Sequence, residues 1–151
     1  MEETIFNQEK PESSTGYLLW QISNLRHRKI NALLNEIEIT YPQFIILAGI
    51  HWLSNEHKIV NQGLLIHFTK MDKSVVSSIL KLLEKKEVVL RNTDLNDTRA
   101  KTLELSIKGS VKLEEAMKII NQMDIEFFDK TNLKIDDLND ILIKVLRKNG
   151  Y

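Results

Sequence analysis

Met71-Asp72-Lys73-Ser74-Val75-Val76-Ser77-Ser78-Ile79-Leu80-Lys81-Leu82-Leu83-Glu84-Lys85-Lys86 is the stretch that decides the fold. Val76, Ile79, Leu80 and Leu83 fall at i, i+3, i+4 and i+7, which is one clean apolar stripe of a helix. A rotation of about 100° per residue carries Ser74, Ser77, Ser78, Lys81 and Lys85 to the opposite face, with Lys73 and Val75 on the flanks. Asp72 stands where a helix cap is expected. A helix that is apolar inside and carries small hydroxyls and lysines outside can sit closely in the major groove of a duplex. Serine exchanges hydrogen bonds with base edges or phosphates, lysine meets guanine or phosphate, and valine touches a thymine methyl. A solvated surface helix has the same composition, so the neighbouring elements must decide between the two readings.

Upstream, Thr40-Tyr41-Pro42-Gln43 is a helix start: Thr40 caps, Pro42 fits the first turn, and Gln43 completes a capping box. The apolar run from Phe44 to Leu53 makes that helix central. Lys58-Ile59-Val60 is expected as a very short strand, and Asn61 as the cap of a third helix through Leu64, Leu65 and Phe68. Downstream, Val88-Val89-Leu90 is strand-like and Asn92–Asp97 is rich in turn residues. Thr102–Ile107 alternates with period two, which predicts a hairpin. Ser106 is expected to cap a long fifth helix through Phe127, and a last helix is expected over about Ile135–Lys148. In the other direction a first helix is expected from about Gly16, and residues 1–15 read as a flexible arm. The fold class is therefore mostly α with a small β-hairpin wing. Helix, turn, helix and hairpin in this order make a winged helix-turn-helix. The first helix and the last two lie outside that unit, and their apolar stripes predict a homodimer.

Composition limits the alternatives. Of 151 residues, 42% are hydrophobic and 28% charged, which suits one ordered domain rather than a disordered chain. Formal net charge is zero, which argues against a generic polyelectrolyte binder, but its distribution is uneven. Residues 70–112 hold ten cations against six anions, whereas residues 1–15 hold four glutamates against one lysine. There is no cysteine, so disulfides and thiolate metal sites are excluded. No apolar run is long enough to span a bilayer and no signal-peptide pattern is present, so a cytoplasmic location without membrane contact is expected. His27, His51, His57 and His67 form no metal-ligand spacing, and no glycine-rich phosphate loop or nucleophile motif occurs. Neither a metal, nor another cofactor, nor catalysis is expected.

Residues 40–109 resemble the MarR family of bacterial transcription regulators. The stretches that carry the likeness are Thr40–Phe44, Met71–Ser77, Leu82–Lys86, Asp94–Lys101 and Leu103–Gly109. The most specific is the Asp-x-x-Asp-x-Arg-Ala pattern ending at Ala100. The resemblance implies a homodimer, with a winged lobe over about 40–109 and dimerisation helices over about 16–36 and 109–148, all in one domain from 16 to 151. It also implies two recognition helices in successive major grooves of double-stranded DNA, on a pseudo-palindromic site with half-sites about one turn apart. Arg99 would enter the minor groove with Asp97 steadying it, and Gln62 and Lys101 would add to the contact made by Lys73, Ser74, Val75, Ser77, Ser78 and Lys81. Glu87 stands where the family has a helix-ending glycine, which costs about 1 kcal/mol if the left-handed conformation is kept. Thr98 replaces a common second arginine of the wing.

Two questions stay open at this level. Many members of the family bind a small aromatic or apolar effector, and Tyr17, Trp20, His51 and Trp52 either line such a space or pack the joint between the first two helices. A repressor released by an effector is the leading function. A winged-helix module for protein contacts and a ligand sensor without DNA binding are the alternatives.

Overall fold

The computed structural model describes residues 10–57, 59–93, 101–129 and 134–150. Helix α1 spans Thr15–Asn35 and is capped by Ser14, whose Oγ accepts from the Tyr17 N–H at 3.3 Å. A short 3-10 turn at Pro11–Ser13 precedes it, so regular structure begins inside the stretch expected to be an arm. Helix α2 spans Tyr41–Glu56 and starts on the expected capping box. Gln43 N–H donates to Thr40 Oγ1 at 3.4 Å, and Thr40 N–H donates to Gln43 Oε1 at 3.2 Å. Its Ile46, Leu47, Ala48 and Ile50 are all buried, as a central helix requires.

Helix α3 covers Gln62–Thr69, with Asn61 Oδ1 accepting from Leu64 N–H at 2.9 Å. Helix α4 covers Lys73–Lys85, and its stripe Val76, Ile79, Leu80 and Leu83 is buried. Asp72 does not cap it. The exposed carboxylate makes no cap bond, and only the Asp72 carbonyl is engaged, accepting from Val76 N–H at 3.0 Å. Strands β1, Val89–Thr93, and β2, Lys101–Leu105, pair antiparallel with Val89 opposite Leu105 and Arg91 opposite Leu103.

The expected strand at Lys58-Ile59-Val60 is reduced to one bridge between Asn61 and Thr102, with Leu103 N–H on the Val60 carbonyl at 2.8 Å; Lys58 lies outside the described residues. Asn61 is already committed as the α3 cap, so pairing stops there. Strand β2 ends two residues before Ile107 because Ser106 turns the chain. Its Oγ donates to the Glu87 carbonyl at 2.7 Å and accepts from Gly109 N–H at 2.9 Å, starting helix α5, Ile107–Asp129. Ile107 is consequently 88% exposed. Helix α6 spans Ile135–Lys148, as the spacing predicts.

One core joins Ile30 and Leu34 of α1, the inner faces of α2, α3 and α4, Val89 and Leu103 of the hairpin, and Leu113 and Ala116 of α5. The hairpin is locked to α4 by a Schellman motif. Glu87 N–H bonds the Glu84 carbonyl at 2.9 Å and Val88 N–H bonds the Leu83 carbonyl at 3.1 Å, with Glu87 at φ +61°. The left-handed turn is therefore made by a residue with a Cβ. Glu87→Gly is expected to stabilise the protein by about 1 kcal/mol by relieving that strain. The Lys108–Glu87 contact it removes is 4.0 Å long and exposed, and contributes little. The urea midpoint should rise at constant slope, and a lower midpoint would contradict the assignment of strain.

Candidate nucleic-acid interface

The outer face of α4 follows from the inner one. Because Val76, Leu80 and Leu83 are fixed in the core, the 3.6-residue period turns Lys73, Ser74, Val75, Ser78 and Lys81 out to solvent and leaves Ser77 half-buried. No carboxylate lies on that face between Lys73 and Lys81. Ser78 Oγ donates to the Ser74 carbonyl at 2.9 Å, so Ser78 spends its proton within the helix and offers only lone pairs outward. Val75 is 43% exposed, an apolar contact surface at the N-terminal turn of the helix. At that end, with no side chain capping it, the first N–H groups have no partner within the helix.

Gln62 is the first residue of α3 and half-buried, and its Oε1 accepts from Arg91 at 3.4 Å. Lys101, at the base of the wing, reaches across the hairpin, its Nζ donating to Thr93 Oγ1 at 2.8 Å. Asp97 and Arg99, the wing residues expected to enter the minor groove, lie outside the described residues.

Two polar groups that the sequence reading passed over organise the lobe. Arg91 sits on β1 with NH1 3.6 Å from Glu84 of α4 and NH2 on Gln62 of α3. Its signal was present in the sequence: it falls two residues after Val89, on the inward side of an alternating strand. Arg26 of α1 makes a fork with Asp124 of α5, with Nε and NH2 each 2.7 Å from a carboxylate oxygen, and NH1 3.2 Å from the Tyr41 hydroxyl at the start of α2. The Asp124 hydrogen bonds, aided by Tyr41, raise the Arg26 pKa above the usual arginine value against the opposing effect of burial. No local pattern marks that pair, because its members are 98 positions apart.

Of the residues considered for an effector, Tyr17 and Trp20 stack on α1 with centroids 6.1 Å apart, and both are exposed. Trp52 packs instead on Phe68 of α3, centroids 5.8 Å apart, and His51 is exposed beside it. Trp20 also lines an open groove along α1 with Gln21, Leu25, His27 and Arg28.

The family profile of the transcriptional regulators SarA/Rot matches residues 28–116, which spans α1 from Arg28 through the hairpin into α5. The chain belongs to this family. The SarA/Rot assignment agrees with a relative from Bacillus subtilis, the HTH-type transcriptional regulator YdcH. It is 31% identical over 118 residues, which cover 78% of this chain and 80% of the relative. The fold is that of MarR. A mutant MarR from E. coli complexed with operator DNA superposes with a TM-score of 0.76 at 24% identity, covering 87% of this chain and 92% of that one. CouR from Rhodococcus jostii, bound to p-coumaroyl-CoA, gives a TM-score of 0.77 at 17% identity, covering 91% and 93%. The chain is thus a transcriptional regulator of the MarR and SarA winged-helix type, in a family of regulators rather than enzymes. Among the described residues no helix is long and apolar enough to cross a membrane.

Proposed function

We propose that the chain is a sequence-specific repressor that binds double-stranded DNA as a homodimer, with one α4 in each of two successive major grooves of a pseudo-palindromic site. The observation that carries this reading is the outer face of α4: two lysines and three serines with no carboxylate, presented by a helix whose opposite stripe is buried. Arg99 is assigned to the minor groove, with Asp97 holding its guanidinium. Residues 40–109 form the DNA-binding lobe within one domain beginning near residue 16, and the protein works in the cytoplasm. Uncovered apolar side chains support the dimer: Leu18, Leu19 and Ile22 of α1 and Ile141, Val145 and Leu146 of α6 are all exposed in the single chain. Release by a small aromatic or apolar effector is the proposed control, with Tyr17, Trp20, His51 and Trp52 as its candidate contacts; the MarR-like CouR is bound to p-coumaroyl-CoA.

Selection of bound sequences from random duplex DNA tests the reading. Enrichment of a two-fold site with half-sites about one helical turn apart is expected. On that site Arg99→Ala should weaken binding by about 10- to 100-fold, and wild-type affinity should fall steeply with salt. Unchanged affinity of the Arg99→Ala protein would remove the wing from the interface. Failure to enrich any sequence, with a partner protein recovered instead, would favour a protein-contact module.

A further inference from the structure

We propose that Arg91 is a positioning residue that sets the polarity of Gln62, holding its amide oxygen inward so that its N–H groups point out to donate to a DNA phosphate. The proposal rests on the DNA-binding reading above.

An arginine has donors and no acceptor. Whatever side-chain amide meets its guanidinium must therefore present oxygen, and Gln62 does so, with Oε1 3.4 Å from Arg91 NH2. An amide whose oxygen is engaged in this way has its NH2 group left over. Phosphate oxygens only accept, so the leftover end is the one a backbone contact requires. Without the guanidinium the amide is free to rotate, and in half of its orientations it would turn a lone pair toward the phosphate.

The guanidinium is itself held. Glu84 of α4 lies 3.6 Å from NH1, and the Arg91 side chain is 22% exposed. Both terminal nitrogens are used at the expense of the third: Arg91 Nε is buried without a partner among the described residues. An orphaned buried donor is unfavourable. The orientation is therefore dictated by the two outer contacts, which join the start of α3, the recognition helix and the base of the wing through one side chain. Burial and the Glu84 contact also make Arg91 a poor phosphate ligand in its own right, whereas Gln62 stands at the first turn of α3, where helix N–H groups gather.

The test uses the full chain and a duplex recovered by the wild type from a random library, with affinity measured across a salt series. Gln62→Ala and Arg91→Met are each expected to weaken binding by roughly 5- to 10-fold, the value of one hydrogen bond. The double variant should bind no worse than either single one. Arg91→Lys, which keeps a donor, should recover part of the loss. The dependence of log affinity on log salt should stay unchanged in all four, because neither residue is assigned a phosphate charge contact. Independent, multiplicative losses would overturn the proposal. So would a salt slope shallower by about one in Arg91→Met, the mark of a direct phosphate contact.

Gln62→Glu tests the same point without removing Arg91. The carboxylate keeps its arginine partner, so the fold is retained, but an oxygen replaces the outward donor and binding should fall by more than in Gln62→Ala. Wild-type affinity in Gln62→Glu would overturn the proposal even if Arg91→Met fails to fold. If the wild type recovers no duplex, the DNA-binding reading falls and this proposal with it; if it recovers one and the two residues prove independent, only the proposal falls.

Discussion

Replacing Gly109 by alanine is expected to destabilise the protein by about 3 kcal/mol, at the upper end of what overpacking costs. A Cβ at this position would stand 1.9 Å from the Val88 carbonyl oxygen, 2.9 Å from its carbon and 3.3 Å from Val88 Cα. These are backbone atoms, so no rotamer change relieves the clash. The carbonyl cannot swing away cheaply either, because it accepts from Ser106 N–H at 3.2 Å while Val88 N–H closes the Schellman motif on Leu83. The relief available is for α5 to lift off the hairpin, which would break the Ser106 cap on Gly109 N–H as well. The urea midpoint at fixed protomer concentration should drop accordingly. A change smaller than about 0.5 kcal/mol, the range of an ordinary surface substitution, would show that the helix start yields without cost.

That joint also marks where local sequence rules stop. The capping box at Thr40 and Gln43, the Asn61 cap and the α4 stripe were legible because each is decided within four to eight residues by helix period and side-chain reach. The end of β2 was not: alternation runs on to Ile107, but Ser106 has partners on both sides of the turn, one of them Glu87, 19 positions away. Asp72 shows a different limit. Its residue type suits a cap, yet whether a carboxylate turns onto the helix or into water depends on its rotamer, and here it stays in water. Glu87 was legible as a conditional cost, and the structure meets the condition by keeping φ positive.

At the candidate site the face of α4 could be read from spacing alone, whereas the tie of Arg91 to Gln62 needed the fold to bring positions 29 apart together. The wing residues Asp97 and Arg99 were named by pattern and remain assigned on that pattern.

The strongest effect on DNA binding is expected from reversing charge along the α4 face. Lys73 and Lys81 are separated by eight residues, about 12 Å of helix rise, and Ser77 lies midway between them. Converting both to glutamate gives each protomer two anions where a groove-bound helix meets phosphate. A dimer loses four cationic contacts, so the plot of log affinity against log salt should become shallower by about four. Affinity for the selected duplex at physiological salt should fall on the order of 1,000-fold. Unfolding would not explain such a loss. Both positions are exposed, Glu at 73 lies at the N-terminal end of the helix dipole, and Glu at 81 gains Lys85 as an i+4 partner, so the urea midpoint should hold or rise slightly. If the doubly reversed protein binds within tenfold of the wild type, the outer face of α4 does not lie against DNA. The lysines would then be only the solvated side of a core helix, the alternative that composition by itself could not dismiss.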